Sequence, residues 1–297
     1  MRSSGTLLCL ASAAAFGAMA VFGKLAYAEG STVGTLLATR FTLAALLFWI
    51  VVAAAGRRGS RRLARGDALR ALALGAAGYA CQAGAYFAAL ARIDASLLSL
   101  LVYTFPAIVT VSAIALGRER ADHRRLAALA LSSAGLLLVL AGAGTGALDP
   151  LGAALGLAAA LVYSAYILAG EPVAARVGAP LLSALVCTGA AITLTAGAAA
   201  LGELRPGAVT PAGWGWLACL AAVSTVGAIG LFFAALRRLG PSRTAILSTA
   251  EPLVTVVLAL LVFGEALGAI QVLGGMLIAG AVLALHLRPR GAHVRIA

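Results

Sequence analysis

The sequence predicts an all-α polytopic membrane protein of ten transmembrane helices, arranged as two inverted five-helix repeats. Three observations carry this. The 297 residues are 62% hydrophobic and 11% charged, with a mean hydropathy of +1.03. No soluble domain of this length buries that much apolar surface, so lipid is the solvent. The arginines gather in every second connection between apolar runs. The second half also repeats the first at a constant offset, with its charges on the opposite side.

A span needs about 20 apolar residues, and Gly, Pro or charge clusters mark its ends. Ten runs qualify: 5–27, 32–55, 69–91, 95–116, 124–143, 150–170, 179–201, 211–236, 241–263 and 266–287. The first resembles a signal peptide after Arg2. It runs on to Phe22-Gly23 without a cleavage site, so it is read as a membrane helix. The connections leave no room for a soluble domain. The longest, Gly56 to Ala68, holds Arg57, Arg58, Arg61, Arg62 and Arg65. Residues 171–178 are read as the loop after the sixth span.

The net charge is +12, and Lys24 is the sole lysine. In a soluble chain that balance suggests nucleic acid. Here the arginines sit between apolar runs, which points to topology control and to no nucleic-acid partner. With the N-terminus in the cytoplasm, the cytoplasmic side also holds Arg118, Arg120, Arg124, Arg125, Arg176, Arg237, Arg238, Arg243 and the tail arginines. The other side keeps Lys24, Arg92 and Arg205, beside Glu29, Asp94, Asp149 and Glu203. Both termini are therefore expected inside. Cys9, Cys81, Cys187 and Cys219 lie singly within apolar runs, with no metal-ligand spacing, and read as small packing residues. No cofactor motif is present.

Pro252 aligns with Pro106 at an offset of 146, and Glu265 aligns with Glu119 at the same offset. Phe233-Ala234-Ala235-Leu236 then falls on Phe87-Ala88-Ala89-Leu90, Arg238 on Arg92 and Ser242 on Ser96. The repeats are assigned to 1–145 and 146–297. Five spans are an odd number, so the second copy enters from the other side. Many secondary transporters are built this way, with substrate bound near the midplane where the halves meet.

Several features together carry a family resemblance. They are two five-span repeats, a ninth span opening Gly240-Pro241-Ser242 and holding Glu251-Pro252, and Gly264-Glu265 before the last span. Phe22-Gly23-Lys24-Leu25 and Thr39-Arg40-Phe41 fit the first repeat. The combination resembles the EamA branch of the drug/metabolite transporter superfamily, over nearly the whole chain. Phe105-Pro106 lacks the carboxylate of Glu251-Pro252, and Arg118-Glu119 replaces Gly-Glu, so a charge-linked role belongs to the second half. The resemblance implies a ten-helix inner-membrane exporter of amino acids or other metabolites. It also implies a central cavity lined by both repeats.

Thr244, Ser248, Glu251 and Thr255 share one face of the ninth span, and such a polar stripe is expected to line a cavity. Glu251 reads as a contact for a substrate amine or a proton site, or else as a structural carboxylate. Pro106 and Pro252 each remove a helical hydrogen bond and serve as hinges or as fixed kinks. Arg40 lies roughly 12 Å inside the second span. It faces a substrate carboxylate, pairs with Glu29 or Glu251, or snorkels outward. Lys24 reads as an interface anchor or a charge partner. Tyr79, Gln82 and Tyr86 share a face of the third span, and Ser96, Ser99, Tyr103, Pro106 and Thr110 a face of the fourth. Tyr163 and Tyr166 pair in the sixth. A mid-span tyrosine hydroxyl needs a partner, so these are expected to face a wet cavity. Such walls suit apolar or aromatic solutes. Trp214 and Trp216 read as an interfacial belt. Glu265 is expected to cap the last helix.

The leading expectation is a monomeric alternating-access carrier, in contact with lipid, that exports amino acids. Cationic drugs and nucleoside-type metabolites are the alternative cargo. A membrane enzyme needs a catalytic cluster at one depth, but His123, His286 and His293 all lie at span ends or in the tail. A channel needs selectivity rings from symmetric copies, and the halves are unequal.

Overall fold

The computed structural model of the protein describes residues 2–54, 64–90, 92, 101–141, 149–263 and 268–286. They form ten helical spans. Helix α1 consists of Arg2–Gly17 and Met19–Ala28, and α2 is Val33–Ala54. Helix α3 runs as Arg65–Ala73, a π-helical turn Leu74–Tyr79, and Ala80–Leu90. Helix α4 is Phe105–Ala115, α5 His123–Ala141, α6 Pro150–Val177 and α7 Ala179–Ala200. Helix α8 runs as Pro211–Ala221, a π-helical turn Ala222–Gly227, and Ala228–Leu239. Helix α9 is Pro241–Ser248 and Ala250–Phe263, and α10 is Ala269–His286. Five of these runs are each long and apolar enough to cross a membrane: Ser4–Ala28, Val33–Ala54, Pro150–Val177, Ala179–Ala200 and Pro211–Leu239.

The starts are written locally. Asp149 accepts the Gly152 N–H at 2.9 Å before Pro150, and Thr210 accepts the Gly213 N–H at 3.1 Å before Pro211. An N-cap oxygen followed by proline at the first helical position satisfies an orphan N–H where proline itself lacks one.

The interruptions come in symmetric pairs. The two π-helical turns lie at corresponding places in α3 and α8. In α9 the Thr249 N–H and hydroxyl both donate to the Ile246 carbonyl, at 3.2 and 2.6 Å. Before α4 the Thr104 N–H and hydroxyl both donate to the Leu101 carbonyl, at 3.3 and 2.7 Å. Each threonine tightens the chain into a turn, and Pro106 or Pro252 follows within a few residues. The helix is broken there because proline cannot continue the ladder and the threonine hydroxyl takes the carbonyl instead.

Packing shows the same two-fold relation. Helix α1 packs on α8 and α9, as α6 packs on α3 and α4; α3 packs on α7, as α8 packs on α2. Helices α2 with α7, and α5 with α10, run against each other at the axis. At one end the Thr210 N–H donates to the Glu29 carbonyl at 3.1 Å, and the Thr210 hydroxyl bonds the Glu29 carboxylate. At the other end, Arg176 meets Asp67 at 3.0 Å. Each tie joins the C-terminal end of the first helix of one repeat to the start of the third helix of the other.

One expected boundary is corrected. Residues 171–178 are not a loop, because α6 continues through Glu171-Pro172 to Val177. Pro172 leaves the Leu168 carbonyl without its helical donor, and the Arg118 guanidinium fills the gap, donating to it at 2.7 Å. Arg118 also reaches Glu171 at 3.7 Å. The helix ends at Gly178, whose φ of 87° turns the chain into α7. Arg118→Met is expected to cost about 1 kcal/mol by orphaning that carbonyl. Adding Pro172→Ala should recover the loss, since alanine at that position restores the N–H. Melting of the single and double variants in detergent checks this, and no recovery would refute the account.

The opening of α9 is also tied across the repeats. The Ser242 N–H donates to the Glu119 carboxylate at 3.4 Å. Glu265, the counterpart of Glu119, lies outside the described residues, as do Gly264, Ser96, Ser99, the arginine cluster at 57–62 and His293.

Candidate functional site

The two helix breaks and the two π-helical turns converge on one interior region. Its wall is an arc of aromatic rings. Phe41 of α2 meets Tyr79 of α3 at 4.9 Å between centroids, edge to face. Tyr79 meets Tyr166 of α6 at 5.7 Å, and Tyr166 stacks on Tyr163 at 6.2 Å. Tyr163 meets Phe105 of α4 at 4.7 Å, and Phe105 meets Tyr103 at 5.8 Å. Phe233 of α8 closes on Tyr166 from behind at 6.1 Å. Tilted and edge-to-face pairs at these separations place positive ring edges on negative ring faces, so the wall is cohesive. Tyr166 is buried, while Tyr79, Tyr103 and Tyr163 keep some accessible surface.

A charge stands at each end of the arc. Arg40 of α2 is 4% exposed. Its guanidinium lies 5.0 Å from the Phe41 ring centre, and its Nε donates to Thr225 Oγ1 at 2.7 Å. The Tyr79 hydroxyl sits against the same guanidinium. Nη2 of Arg40 is buried and has no hydrogen-bond partner. Tyr79 and Thr225 occupy the same position in the two repeats, offset by 146; Tyr79 ends its π-helical turn and Thr225 lies within its own. Thr225 is held in turn by donating to the Leu220 carbonyl, five residues back, at 2.9 Å. A π-turn frees a carbonyl and widens the helix locally, and such turns recur at functional sites.

Glu251 holds the other end. It lies in the first turn of the second segment of α9, where the helix dipole favours a carboxylate. The Tyr103 hydroxyl, in the symmetry-related break, faces that carboxylate. Glu251 feels the charge of Arg40, yet no ion pair within 4.0 Å joins them. Glu29 is engaged with Thr210 instead. Arg40 therefore neither pairs with Glu29 or Glu251 nor snorkels to the surface.

Of the polar stripe of α9, Thr244, Ser248 and Thr255 do not line the site as expected; they pack against α1 or bond within α9, and Glu251 alone reaches the ring arc. Ser248 is 6% exposed and lies 3.8 Å from Cys9 of α1, and its hydroxyl donates to the Thr244 carbonyl at 2.9 Å. Thr244 is buried, and Thr255 donates to the Gly17 carbonyl at 3.1 Å. This face seals α9 against α1, because small hydroxyl residues let membrane helices approach closely. Ser248 thus leaves the cavity set. Gln82 and Tyr86 are half-buried, with Tyr86 packed beside Leu155 of α6 and Val102. Pro106 and Pro252 sit just past the two breaks. Lys24 falls in α1, with its side chain outside the described residues, and Ser99 lies outside them altogether. Trp216 stacks on Phe22 at 6.2 Å and Trp214 is exposed. Thr225, Phe41 and Phe105 are the residues sequence reasoning missed. The offset of 146 that maps Tyr79 onto Thr225 was the signal available for the first.

Two inverted five-helix repeats that meet at broken helices around a ring-lined site define a membrane transporter. The EamA-like transporter family matches residues 3–141 and again 150–287. The chain belongs to the EamA-like transporter family. It is similar to the uncharacterized transporter YcbK of Bacillus subtilis (strain 168), 28% identical over 278 residues that cover 92% of this chain and 89% of that protein. A solved crystal structure shares the fold at a TM-score of 0.81 and 21% identity, with 96% of this chain and 97% of that one aligned.

Proposed function

We propose that this transporter exports small metabolites, foremost amino acids with apolar or aromatic side chains, by alternating access in the bacterial inner membrane. One observation carries the reading. The ring arc is assembled from α2, α3, α4, α6 and α8 and ends at Glu251 of α9, so both repeats build the wall. A solute held there touches both halves and is released when they rock apart. The aromatic faces supply area for an apolar side chain, and the charges at the two ends supply polar contacts. The breaks at Thr104 and Thr249, beside Pro106 and Pro252, are the places where the backbone ladder is already open, which suits a hinge. The excess of arginine on one side supports N- and C-termini in the cytoplasm. Cationic drugs are the second cargo to weigh, favoured by the carboxylate of Glu251 and disfavoured by the buried cation of Arg40.

Overproduction is expected to raise tolerance to toxic amino-acid analogues such as p-fluorophenylalanine. Cells loaded with a dipeptide should release the corresponding amino acid faster. Unchanged tolerance across a broad analogue panel, with the protein verified in the membrane, would overturn the export reading.

A further inference from the structure

We infer that the outer face between α3 and α6 holds an anionic phospholipid, with an acyl chain in a groove there and the phosphate at Arg70 and Arg176. This goes beyond the export reading and does not depend on the cargo. The groove has a volume of about 440 Å³ and opens to the outside of the bundle. Small residues leave the room, since Ala73, Gly78, Ala165 and Ala169 all line it. Helices α3 and α6 pack closely along Ala80–Leu90 and part toward Arg65–Ala73. Among the described residues, Arg70 is the one charged residue in the lining. From Arg70 to Gly78 the helix rises about 12 Å. That is most of one leaflet, half of a hydrocarbon core about 30 Å thick. The groove thus has the length of a leaflet and a cation at its headgroup end.

Charge selects the occupant. Arg70 meets Asp67 at 3.3 Å, and Arg176 of α6 meets the same carboxylate oxygen at 3.0 Å. Two guanidiniums against one carboxylate leave a positive charge at the mouth, and both arginine side chains stay exposed. A guanidinium has more N–H donors than one carboxylate oxygen occupies, and its planar fork suits phosphate oxygens. The mouth lies at the arginine-rich end, assigned above to the cytoplasm, where the leaflet is anionic and basic pockets between helices take lipid headgroups. A soluble anion uses the arginines and ignores the groove; a neutral lipid does the reverse. The other repeat shows what closes such a face. Trp216 stands 146 residues after Arg70 and stacks on Phe22 of α1 at 6.2 Å. Leu220, the counterpart of Leu74 in the groove, is fully buried. The chain's own rings fill the face between α1 and α8, whereas the face between α3 and α6 is left to lipid. Tyr166 lines the groove and also belongs to the ring arc, so the acyl chain backs the wall of the site.

The test is native mass spectrometry of the full chain released from detergent. It is titrated with palmitoyl-oleoyl phosphatidylglycerol, with phosphatidylcholine of the same chains, and with glycerophosphoglycerol as the headgroup alone. Phosphatidylglycerol is expected to bind about fivefold more tightly than phosphatidylcholine, the scale of one exposed ion pair, and the headgroup alone is not retained. Arg70→Gln should abolish the preference between the two lipids. Ala165→Phe fills the groove and should weaken both lipids; Ala169→Leu is the smaller filling if that variant does not fold. Leu46→Phe, on the exposed face of α2, should change neither. Equal binding of the two lipids by the unmodified chain overturns the inference. So does a preference that survives both Arg70→Gln and the groove fillings, which places the lipid elsewhere. Glycerophosphoglycerol binding as tightly as phosphatidylglycerol, indifferent to Ala165→Phe, overturns it in favour of a surface anion site. A dimer lost in Ala165→Phe and unaffected by phosphatidylglycerol gives the groove to a second copy of the chain and overturns it as well.

Discussion

Glu251→Gln is expected to lower L-phenylalanine counterflow in proteoliposomes at least tenfold while leaving the protein folded and monodisperse. Glutamine keeps the shape and can still accept from the Tyr103 hydroxyl, so packing at the α9 break is retained. What disappears is the negative pole. A hydrogen bond to a charged group contributes about 1.5–3 kcal/mol, and each 1.4 kcal/mol is a factor of ten in affinity. Counterflow is the informative assay because it needs no driving ion. A carboxylate that only carries a coupled proton would lose gradient-driven transport and keep counterflow. One that holds substrate loses both, which is the outcome expected. Unchanged transport in both assays would make Glu251 a structural carboxylate, bonded to Tyr103 to steady the two breaks.

Gly75→Ala and Gly189→Ala are each expected to destabilise the protein by about 3 kcal/mol or more, the upper end of ordinary overpacking. A Cβ on Gly75 would lie 2.0 Å from the Val186 carbonyl oxygen, and one on Gly189 would lie 2.2 Å from the Leu72 carbonyl oxygen. Both clashes are with backbone, so no side chain can swing aside, and α3 and α7 must separate. In a chain of this size about 1 kcal/mol moves Tm by 2–4 °C, so a fall of roughly 6–12 °C should appear in a detergent melt. Gly84→Ala is the control. Nothing lies within 4 Å of its Cβ, and alanine favours the helix by up to about 1 kcal/mol. Equal behaviour of Gly84→Ala and Gly75→Ala would refute the close-approach account. Gly75 also sits in the π-helical turn that ends at Tyr79. Its substitution should therefore loosen the contact on Arg40 and weaken substrate binding as well as stability.

The carboxylate and the glycines differ in how far the sequence reveals them. Glu251 was visible there, because a charge beside a proline in an apolar span stands out against the cost of placing it in lipid. The glycine contacts were not. Thirty-five glycines are scattered through the chain, and nothing local separates Gly75, wedged against Val186, from Gly84, facing open space.

The sequence by itself determined the span number, the repeat and the neighbourhoods of Pro106 and Pro252, where the chain breaks before α4 and within α9. Those follow from hydropathy over about 20 residues, from a constant offset and from proline chemistry, all properties of the chain in its own neighbourhood. Only the tertiary structure decided which partner each polar group meets. Glu171-Pro172 reads as a helix end, yet α6 continues because Arg118, fifty residues earlier, supplies the missing donor to Leu168. The hydroxyl stripe of α9 has the periodicity of a cavity wall, yet it faces Cys9 and Gly17 of α1. Arg40 had three candidate partners in the sequence and found another, Thr225, 185 residues away. In lipid every polar group must be satisfied from within the bundle, and which neighbour satisfies it is a matter of helix packing, which no local pattern encodes.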